Sequence, residues 1–245
     1  MAGVSTFQEP VVQIPPGRYW IGDNSLPNAG PRHPLVFEKP VWIDRFPVRL
    51  VHLEHVVVRG GLQPATVAGA SLFRSEAPNS VDCAIRSIFQ VTEKTFARPA
   101  EKKLKPASFP ACGLMWQEAA DACRFFGARL PTEQEWEVAM GGRNLVSTKA
   151  RTGDSLGTLS QLGCVGFLGQ IQEWTGSAWT DRYWMDRDTH TVEPPDATTR
   201  ISVRGCLPIG QVASLHGRLA VSRADAAVPR IFRRVWDHPP DPSFV

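Results

Sequence analysis

The spacing of apolar residues between Met115 and Met140 predicts two helices joined by a short turn. In the first half of this segment, the apolar residues that recur at steps of three and four are Trp116, Ala119, Ala120, Cys123 and Phe126. Such steps place side chains on one face of a helix. Gly127 stands where a left-handed C-terminal cap is needed, so the first helix should end at Phe126 or Gly127.

The second helix is predicted from a capping box at its start. The Thr132 hydroxyl can accept a hydrogen bond from the amide of Glu135, and the Glu135 carboxylate can accept one from the amide of Thr132. The helix should end at the glycine pair 141–142, and the side chains it should carry inward are those of Trp136, Ala139 and Met140.

Alternation of apolar and polar residues predicts short strands on both sides of these helices. Residues 11–22 alternate around a Pro-Gly turn and predict two strands. Residues 40–48 predict another strand, with Val41, Ile43 and Phe46 facing a core. Further strands are expected at 165–169, 171–174, 200–204 and 230–235. Helices in the middle and antiparallel strands at both ends indicate an α+β domain whose two ends meet in one sheet.

The stretch from Leu50 to Lys105 is less informative. Residues 52–59 fit either a short helix or a strand, and residues 80–90 have helical spacing. The chain has no internal repeat, no low-complexity tract and no break in composition. Residues 1–245 are therefore predicted to form a single domain.

The composition is that of a globular protein and argues against several functional classes. With 42% hydrophobic residues the chain can bury a core, and no run of about 18 apolar residues indicates a membrane span. The net charge of +3 is small and the basic residues are scattered, so nucleic-acid binding is not indicated. The first residues lack the pattern of a signal peptide, which predicts a cytoplasmic protein.

The cysteines and histidines do not form a recognisable metal site in the sequence. The five cysteines have no short paired spacing, which favours small buried hydrophobic roles over disulfides or zinc ligation; they are Cys83, Cys112, Cys123, Cys164 and Cys206. His52 and His55 could place two ligands on one helical face, but no third ligand is nearby. A solvated or core role is the favoured interpretation for both.

Five blocks of sequence, in a fixed order, match the motifs of a known family. Residues 14–22 resemble an opening I-P-G-G-x-F-x-M-G, and residues 116–142 resemble W-x-x-A followed by G-x-R-L-P-T-E-x-E-W-E. Residues 166–175 are similar to a shortened G-L-x-D-M-x-G-N-V-x-E-W-T. The motifs R-G-G-S and R…G-F-R have their counterparts in Arg204-Gly205 and in Arg223 with Phe232-Arg233. On these residues the chain resembles the formylglycine-generating enzyme (sulfatase-modifying factor) family.

The resemblance implies a C-type-lectin-like fold of the formylglycine-generating enzyme type. Such a fold has a small twisted antiparallel sheet, two main helices and long irregular loops used for recognition. The motif residues favour structural roles: Arg129 should pair with Glu135 or Glu137, and the tryptophans should fill the core.

The same resemblance argues against catalysis. Family members that oxidise a cysteine hold copper through a pair of cysteines just after R-G-G-S, a task suited to soft thiolates. Here Cys206 stands at the second glycine of that motif and no cysteine follows it. No catalytic residue is therefore predicted, and the chain is expected not to be an enzyme.

A structural calcium ion is a further implication of the family. Its ligands would include Glu173 and Gln170, the latter in place of the usual Asn. The alternative is that Glu173 accepts hydrogen bonds from loop amides. No other cofactor is expected.

The expected function is non-catalytic binding of a protein or another macromolecule by a monomer. The resemblance extends to the variable proteins of diversity-generating retroelements, which bind varied targets through C-terminal residues of this fold. The binding surface is expected within residues 204–236, at Leu207, Ile209, Val212, Ser214, Leu215, His216, Ala224, Asp225, Ala227, Val228 and Ile231. Two alternatives remain: a copper oxidase with relocated ligands, and a docking or regulatory subunit.

Overall fold

The computed structural model describes the chain in eight stretches, which are residues 10–26, 28–58, 110–142, 158–166, 171–183, 198–205, 215–225 and 228–241. The helices within them are α1 (Leu50–Val58), α2 (Trp116–Phe125) and α3 (Glu133–Gly141). The strands within them are β1 (Val11–Ile14), β2 (Gly17–Ile21), β3 (His33–Phe37), β4 (Val41–Asp44), β5 (Thr158–Leu159), β6 (Val165–Gly166), β7 (Gln172–Ala178), β8 (Ile201–Arg204), β9 (Leu219–Val221), β10 (Arg230–Ile231) and β11 (Val235–Trp236). The fold is α+β, as the sequence predicts.

Strands from both ends of the chain form one antiparallel sheet, in the order β1-β4-β11. Val235 lies opposite Ile43, and Val12 lies opposite Ile43 on the other side. A buried ion pair joins the same two regions, because Arg234 donates to both carboxylate oxygens of Asp44 at 2.9 and 3.0 Å. The prediction that the two ends meet in one sheet is confirmed.

A second sheet holds the C-terminal half in the order β10-β7-β8-β9. Strands β7, β8 and β9 are antiparallel, whereas β10 runs parallel to β7. The continuous strand expected at 230–235 is wrong, since β10 and β11 belong to different sheets. Arg233 and Arg234 lie between these strands and are buried in ion pairs, which ends the alternation of inward and outward side chains.

Two hairpins complete the strand arrangement, β2–β3 and β5–β6. Both strands expected in residues 11–22 are present, but they do not pair with each other. Strand β1 pairs with β4, and β2 pairs with β3. Pro15 and Pro16 stand between them and have no N–H to donate to a shared ladder.

The two main helices begin and end where the sequence predicts. Helix α2 stops at Phe125, and Gly127 follows with φ of 63°. At the start of α3 the Glu135 amide donates to Thr132 Oγ1 at 3.1 Å, and the Thr132 amide donates to Glu135 Oε2 at 2.8 Å. Residues 50–58 are helical, which decides between helix and strand for this segment; the predicted helix at 80–90 lies outside the described residues.

Helix α3 is buried on every side. Trp136, Ala139 and Met140 point into the core as expected, but Glu133 and Glu137 are also fully inaccessible to solvent. Charged side chains are buried at such positions only when other groups neutralise and hydrogen-bond them. Glu133 and Glu137 are accordingly paired with buried arginines from other parts of the chain.

Four tryptophans of the described residues are buried, and the indole N–H of each donates a hydrogen bond. Trp116 donates to the carbonyl of Thr175 at 2.8 Å, and Trp174 donates to that of Leu114 at 2.9 Å. These bonds link α2 and its flanking turn to β7. None of the described helices is long and apolar enough to cross a membrane.

Candidate functional site

Two carboxylates on α3 organise the interior of the C-terminal half. Glu133 and Glu137 are four residues apart, so they lie on one face of the helix. That face is directed at β8, at the segment 215–218 and at Tyr183. Together these groups form the acid–arginine cluster, defined by Glu133, Glu137, Tyr183, Ser202, Arg204, His216 and Arg218.

Glu133 binds Arg218 in a two-pronged ion pair. Arg218 Nε donates to Oε2 and Nη2 donates to Oε1, each at 2.6 Å. The Ser202 hydroxyl donates to Oε2 at 2.5 Å. Arg218 also donates from Nη1 to the carbonyls of Asn28 and Thr180, at 2.7 and 3.1 Å. The Arg218 guanidinium therefore links α3 to the segments around Asn28 and Thr180 as well as to its own segment, residues 215–218.

Glu137 has four partners. Its Oε1 accepts from the Gly22 amide at 2.6 Å and lies 2.6 Å from His216 Nδ1. Its Oε2 accepts from the Tyr183 hydroxyl at 2.6 Å and lies 2.9 Å from Arg204 Nη2. Both oxygens are thus fully engaged, and the side chain is completely buried.

Aromatic rings cover the two arginines of the cluster. The Arg218 guanidinium lies 4.3 Å from the ring centroid of Tyr183 and 4.5 Å from that of Trp179. Arg204 lies 4.9 Å from the ring of Tyr183. Cations over aromatic faces are stabilised more strongly when water is excluded, as it is here.

The pKa values of Glu137 and Tyr183 lie far from neutral pH. Burial alone would raise the pKa of the Glu137 carboxyl, but Arg204, His216 and Tyr183 together lower it to about 2. Burial raises the pKa of Tyr183 well above its usual range, and Glu137 adds to this effect. A general acid or base works best with a pKa near the operating pH, and neither Glu137 nor Tyr183 meets that condition. The geometry is that of a structural anchor.

The anchor binds residues on both sides of the stretch 206–214. Arg204 and His216, which flank residues 206–214 closely, bind the same Glu137 carboxylate. Arg204 also donates from Nη1 to the carbonyl of His216 at 3.3 Å. The residues on either side of this stretch are therefore held close together beside helix α3.

The residues expected at the binding surface divide into three groups. Leu215, His216 and Ile231 are buried, which corrects their expected exposure: Leu215 and Ile231 pack in the core, and His216 pairs with Glu137. Ala224 and Val228 are exposed, and Asp225 is half-buried and paired with Arg230. The others lie outside the described residues, and they are Leu207, Ile209, Val212, Ser214 and Ala227.

Glu173, one of the two expected calcium ligands, is buried and bound to side chains. Arg233 donates to both of its oxygens at 2.8 Å, and Trp136 Nε1 donates to Oε2 at 2.9 Å. These partners differ from the loop amides that were the alternative expectation. A calcium ion at Glu173 would have to displace a guanidinium from the same oxygens, so this carboxylate does not fit a calcium site; Gln170 lies outside the described residues.

The cysteines in the described stretches do not fit a copper site. Cys112, Cys123 and Cys164 are buried and form no disulfide within the described stretches. Burial raises the pKa of Cys164 to about 11 and raises that of Cys123 further, so both stay protonated thiols, whereas a metal ligand must be a thiolate. Within the same stretches, no three His, Cys, Asp or Glu side chains are grouped to hold a metal ion. Cys83 and Cys206 lie outside them.

The remaining sequence expectations can be placed on the structure. Arg129 pairs with Glu135 rather than Glu137, through two hydrogen bonds of 2.7 Å. His52 accepts a hydrogen bond from the Arg49 amide at 3.2 Å. The side chain of His55 lies outside what the structure describes.

Sequence reasoning missed most of the acid–arginine cluster. It named His216 only as a surface residue, placed Tyr183 only beside the expected binding face and gave no role to Arg218. One signal was available, because Glu133 and Glu137 are four apart in a helix whose other residues are largely apolar or paired. The partners of their carboxylates are 46 to 115 residues away along the chain, so the sequence alone gives no indication of which arginines they meet.

Comparison with known proteins agrees with this architecture. Residues 4–154 match the model of the sulfatase-modifying factor enzyme 1-like domain. A 146-residue stretch is 32% identical to the inactive C-alpha-formylglycine-generating enzyme 2 of Bos taurus, covering 54% of this chain and 48% of that protein. The chain thus spans about half the length of this relative.

Two solved structures are similar along almost their whole length. PvdO from Pseudomonas aeruginosa superposes with a TM-score of 0.61 at 15% identity, covering 92% of this chain and 93% of that one. Variable protein 1 of Treponema denticola superposes with a TM-score of 0.58 at 14% identity, covering 93% and 95%. At such identities the likeness concerns the fold.

Proposed function

Because the chain belongs to the sulfatase-modifying factor enzyme 1-like domain family, we propose that it is a non-catalytic member whose C-type-lectin-like frame binds a macromolecular ligand. The observation that carries this proposal is the acid–arginine cluster. In it Arg204 and His216, which lie on either side of the stretch 206–214 in the chain, bind one buried carboxylate, that of Glu137 on α3.

Two features support the absence of catalysis. The carboxylates and the tyrosine of the cluster are saturated with hydrogen bonds and have pKa values far from neutrality where a shift is found. In addition, one relative of the chain is by its name an inactive formylglycine-generating enzyme. Both points favour a binding role over a catalytic one.

The proposed binding surface consists of the segment 206–214 and the exposed turn that precedes β10. Its contact residues are Leu207, Ile209, Val212, Ser214, Ala224, Asp225, Ala227 and Val228. Leu215, His216 and Ile231 belong to the supporting interior. Small and apolar side chains at these positions suit contact with a protein or another macromolecule.

We further propose that the chain is a variable protein of a diversity-generating retroelement. The fold likeness to a Treponema denticola variable protein supports this assignment. Sequencing the region around the gene tests it. A neighbouring reverse-transcriptase gene and a template repeat that differs from codons 204–236 mainly at adenines are expected, and their absence would remove this part of the proposal.

A substitution library tests the division between surface and frame. The seven proposed contact residues other than Asp225, whose carboxylate pairs with the buried Arg230, would be randomised together, and the fraction of folded variants would be measured in a display format. A presented surface should tolerate these changes with little loss of folded protein. A matched library that randomises Leu215, His216 and Ile231 should lose most folded variants, because it creates cavities and unpaired buried charges. Equal loss in both libraries would contradict the proposed surface.

The competing oxidase function is tested by metal loading. The purified chain would be incubated with Cu(I) under reducing conditions and desalted, and then supplied with a cysteine-containing peptide. We expect no stoichiometric copper retention and no oxygen consumption above that of the buffer. One retained copper per chain with oxygen uptake would contradict a non-catalytic role.

A further inference from the structure

The outer face of the β2–β3 hairpin carries an exposed patch that the proposed binding surface does not use. Trp20 is 37% exposed and Val36 is 59% exposed, and both are large apolar side chains. The cross-strand pairs on this face are Arg18 with Val36 and Trp20 with Pro34. The alternate residues face the core, and they are Tyr19, Ile21, Leu35 and Phe37. We call the exposed set, with the adjacent Arg32, the hairpin patch.

Two arginines are held over the exposed indole. The Arg18 guanidinium lies 5.3 Å from the ring centroid of Trp20, and that of Arg32 lies 5.4 Å from it. Neither forms an ion pair with a carboxylate among the described residues. The acidic residue within the hairpin, Asp23, is instead bound by the amide and hydroxyl of Ser25. The patch therefore presents two positive charges in a partly ordered arrangement.

We propose that the hairpin patch docks a protein segment that carries carboxylates beside an apolar side chain. Tryptophan and arginine are the residues most enriched among those that dominate protein–protein affinity. Guanidiniums held by an aromatic ring bind carboxylates in the planar, two-pronged geometry for which arginine is suited, with less entropy to lose. Val36 and Pro34 have no side-chain hydrogen-bonding groups, so they match an apolar neighbour on the partner.

Other occupants fit this patch less well. A nucleic-acid base or a sugar ring binds by stacking on an open aromatic face, and here the guanidiniums lie over the indole. Nucleic acid also requires an extended basic surface, whereas the whole chain carries a net charge of +3. In a symmetric contact between two copies, the patch would face itself and bring four arginines together.

Fluorine NMR of the full chain tests the proposal. The eight tryptophans would be replaced biosynthetically by 5-fluorotryptophan, and a Trp20→Phe variant would assign the Trp20 signal. The probe is a capped peptide of four Asp-Leu repeats. We expect a saturable shift of the Trp20 signal, with affinity about fivefold or more weaker in Arg18→Glu and in Arg32→Glu, because charge reversal at a complementary contact is repulsive.

Matched controls separate this site from general charge effects. Arg124→Glu makes the same charge change at an exposed position of α2, and it should alter the affinity by less than about twofold. A peptide of Asp-Ser repeats, which keeps the charge and lacks the apolar side chains, should bind more weakly than the Asp-Leu peptide. The proposal would be overturned if the Trp20 signal did not move, if Arg124→Glu had the same effect as the patch variants, or if the Asp-Ser peptide bound equally well. Tighter binding of an oligothymidine, or self-association abolished by the patch variants, would also overturn it.

Discussion

A single side chain, Glu137, connects four parts of the molecule. Its carboxylate meets the Gly22 amide from the β2–β3 hairpin, Tyr183, Arg204 at the end of β8, and His216. A buried charge with this many partners is costly to disturb, because removing it leaves the arginine unpaired away from water.

Replacing Glu137 with glutamine should therefore destabilise the fold strongly. The glutamine side chain has nearly the same shape but leaves Arg204 without its closest counter-charge, and we expect a loss of about 3–5 kcal/mol in the free energy of unfolding. Urea denaturation followed by circular dichroism measures this loss. As a control, Asp121→Asn removes an exposed ion pair with Arg124 and should cost no more than about 1 kcal/mol. A loss for Glu137→Gln as small as that of the control would show that the cluster is not an anchor.

The same residue should control stability in acid. The folded-state pKa of about 2 lies below the ordinary value of 4.5, so the unfolded chain binds this proton more readily. The stabilisation from ionised Glu137 is complete above pH 4.5 and is lost as the pH falls towards 2; it amounts to ~3 kcal/mol over that window. Unfolding free energies measured from pH 6 downwards should fall more steeply for the wild-type chain than for Glu137→Gln. Parallel pH profiles would contradict the assignment.

Residue pairs close in sequence could be predicted, whereas distant ones could not. The capping box of Thr132 and Glu135 follows from a spacing of three residues and is confirmed. The pairing of Arg129 with Glu135 is likewise local and confirmed. His216 is expected at the surface because it lies among small and apolar residues between two family motifs, and nothing in that stretch indicates a carboxylate 79 residues away.

At the scale of elements, helix α3 is the centre around which the others are arranged. It contacts β2, β7 and β8, so one hairpin and one sheet both rest on it. Trp136 donates to Glu173 on β7, whereas Glu137 pairs with Arg204 on β8. Because the entire helix is buried, its polar residues also face the interior and its amphipathic pattern is weak. The apolar residues alone therefore predicted only three inward side chains.

The end of β8 offers a test of how tightly this arrangement is packed. Gly205 has φ of 94°, and a Cβ there would lie 2.9 Å from the carbonyl oxygen of Ile171. Gly127 also has positive φ, 63°, but a Cβ there would meet nothing within 4 Å. Gly127→Ala should cost about 1–2 kcal/mol from backbone strain alone. Gly205→Ala should cost a further ~1–3 kcal/mol, because backbone atoms must also move.

Thermal and urea unfolding of the two alanine variants measures this difference. Because both glycines lie in the left-handed half of backbone space, the comparison isolates the effect of close packing. An equal loss of stability in the two variants would mean that β7 moves away from Gly205 without cost. The end of β8 would then be a looser support for residues 206–214 than the contacts indicate.

Helices and strands with clear periodicity were predicted close to their observed bounds, while strand partners were not. Helices α2 and α3 have caps that the sequence displays. The strands β3 and β9 were missed, since Pro34 interrupts the first and the second has only three residues. Partner choice depends on the whole fold, which is why the single strand expected at 230–235 divides between two sheets.

On the scale of the whole molecule, family motifs and long-range contacts coincide. Three arginines of the matched blocks, Arg129, Arg204 and Arg233, each neutralise a glutamate on α3 or β7. The sequence resemblance therefore predicted the fold well, because the matched motifs supply the buried ion pairs that connect its elements. It was least informative about the proposed binding surface, because the matched motifs do not include most of its residues.

The central position of β4 has a consequence for synthesis on the ribosome. Strand β4 is translated early, yet one of its two neighbours, β11, and the guanidinium that neutralises Asp44 leave the exit tunnel only near the end of translation. Until then the nascent chain exposes an open strand edge and an uncompensated acid. A premature stop codon anywhere between these two strands would thus yield a product destined for chaperones and proteases, not a shorter working protein.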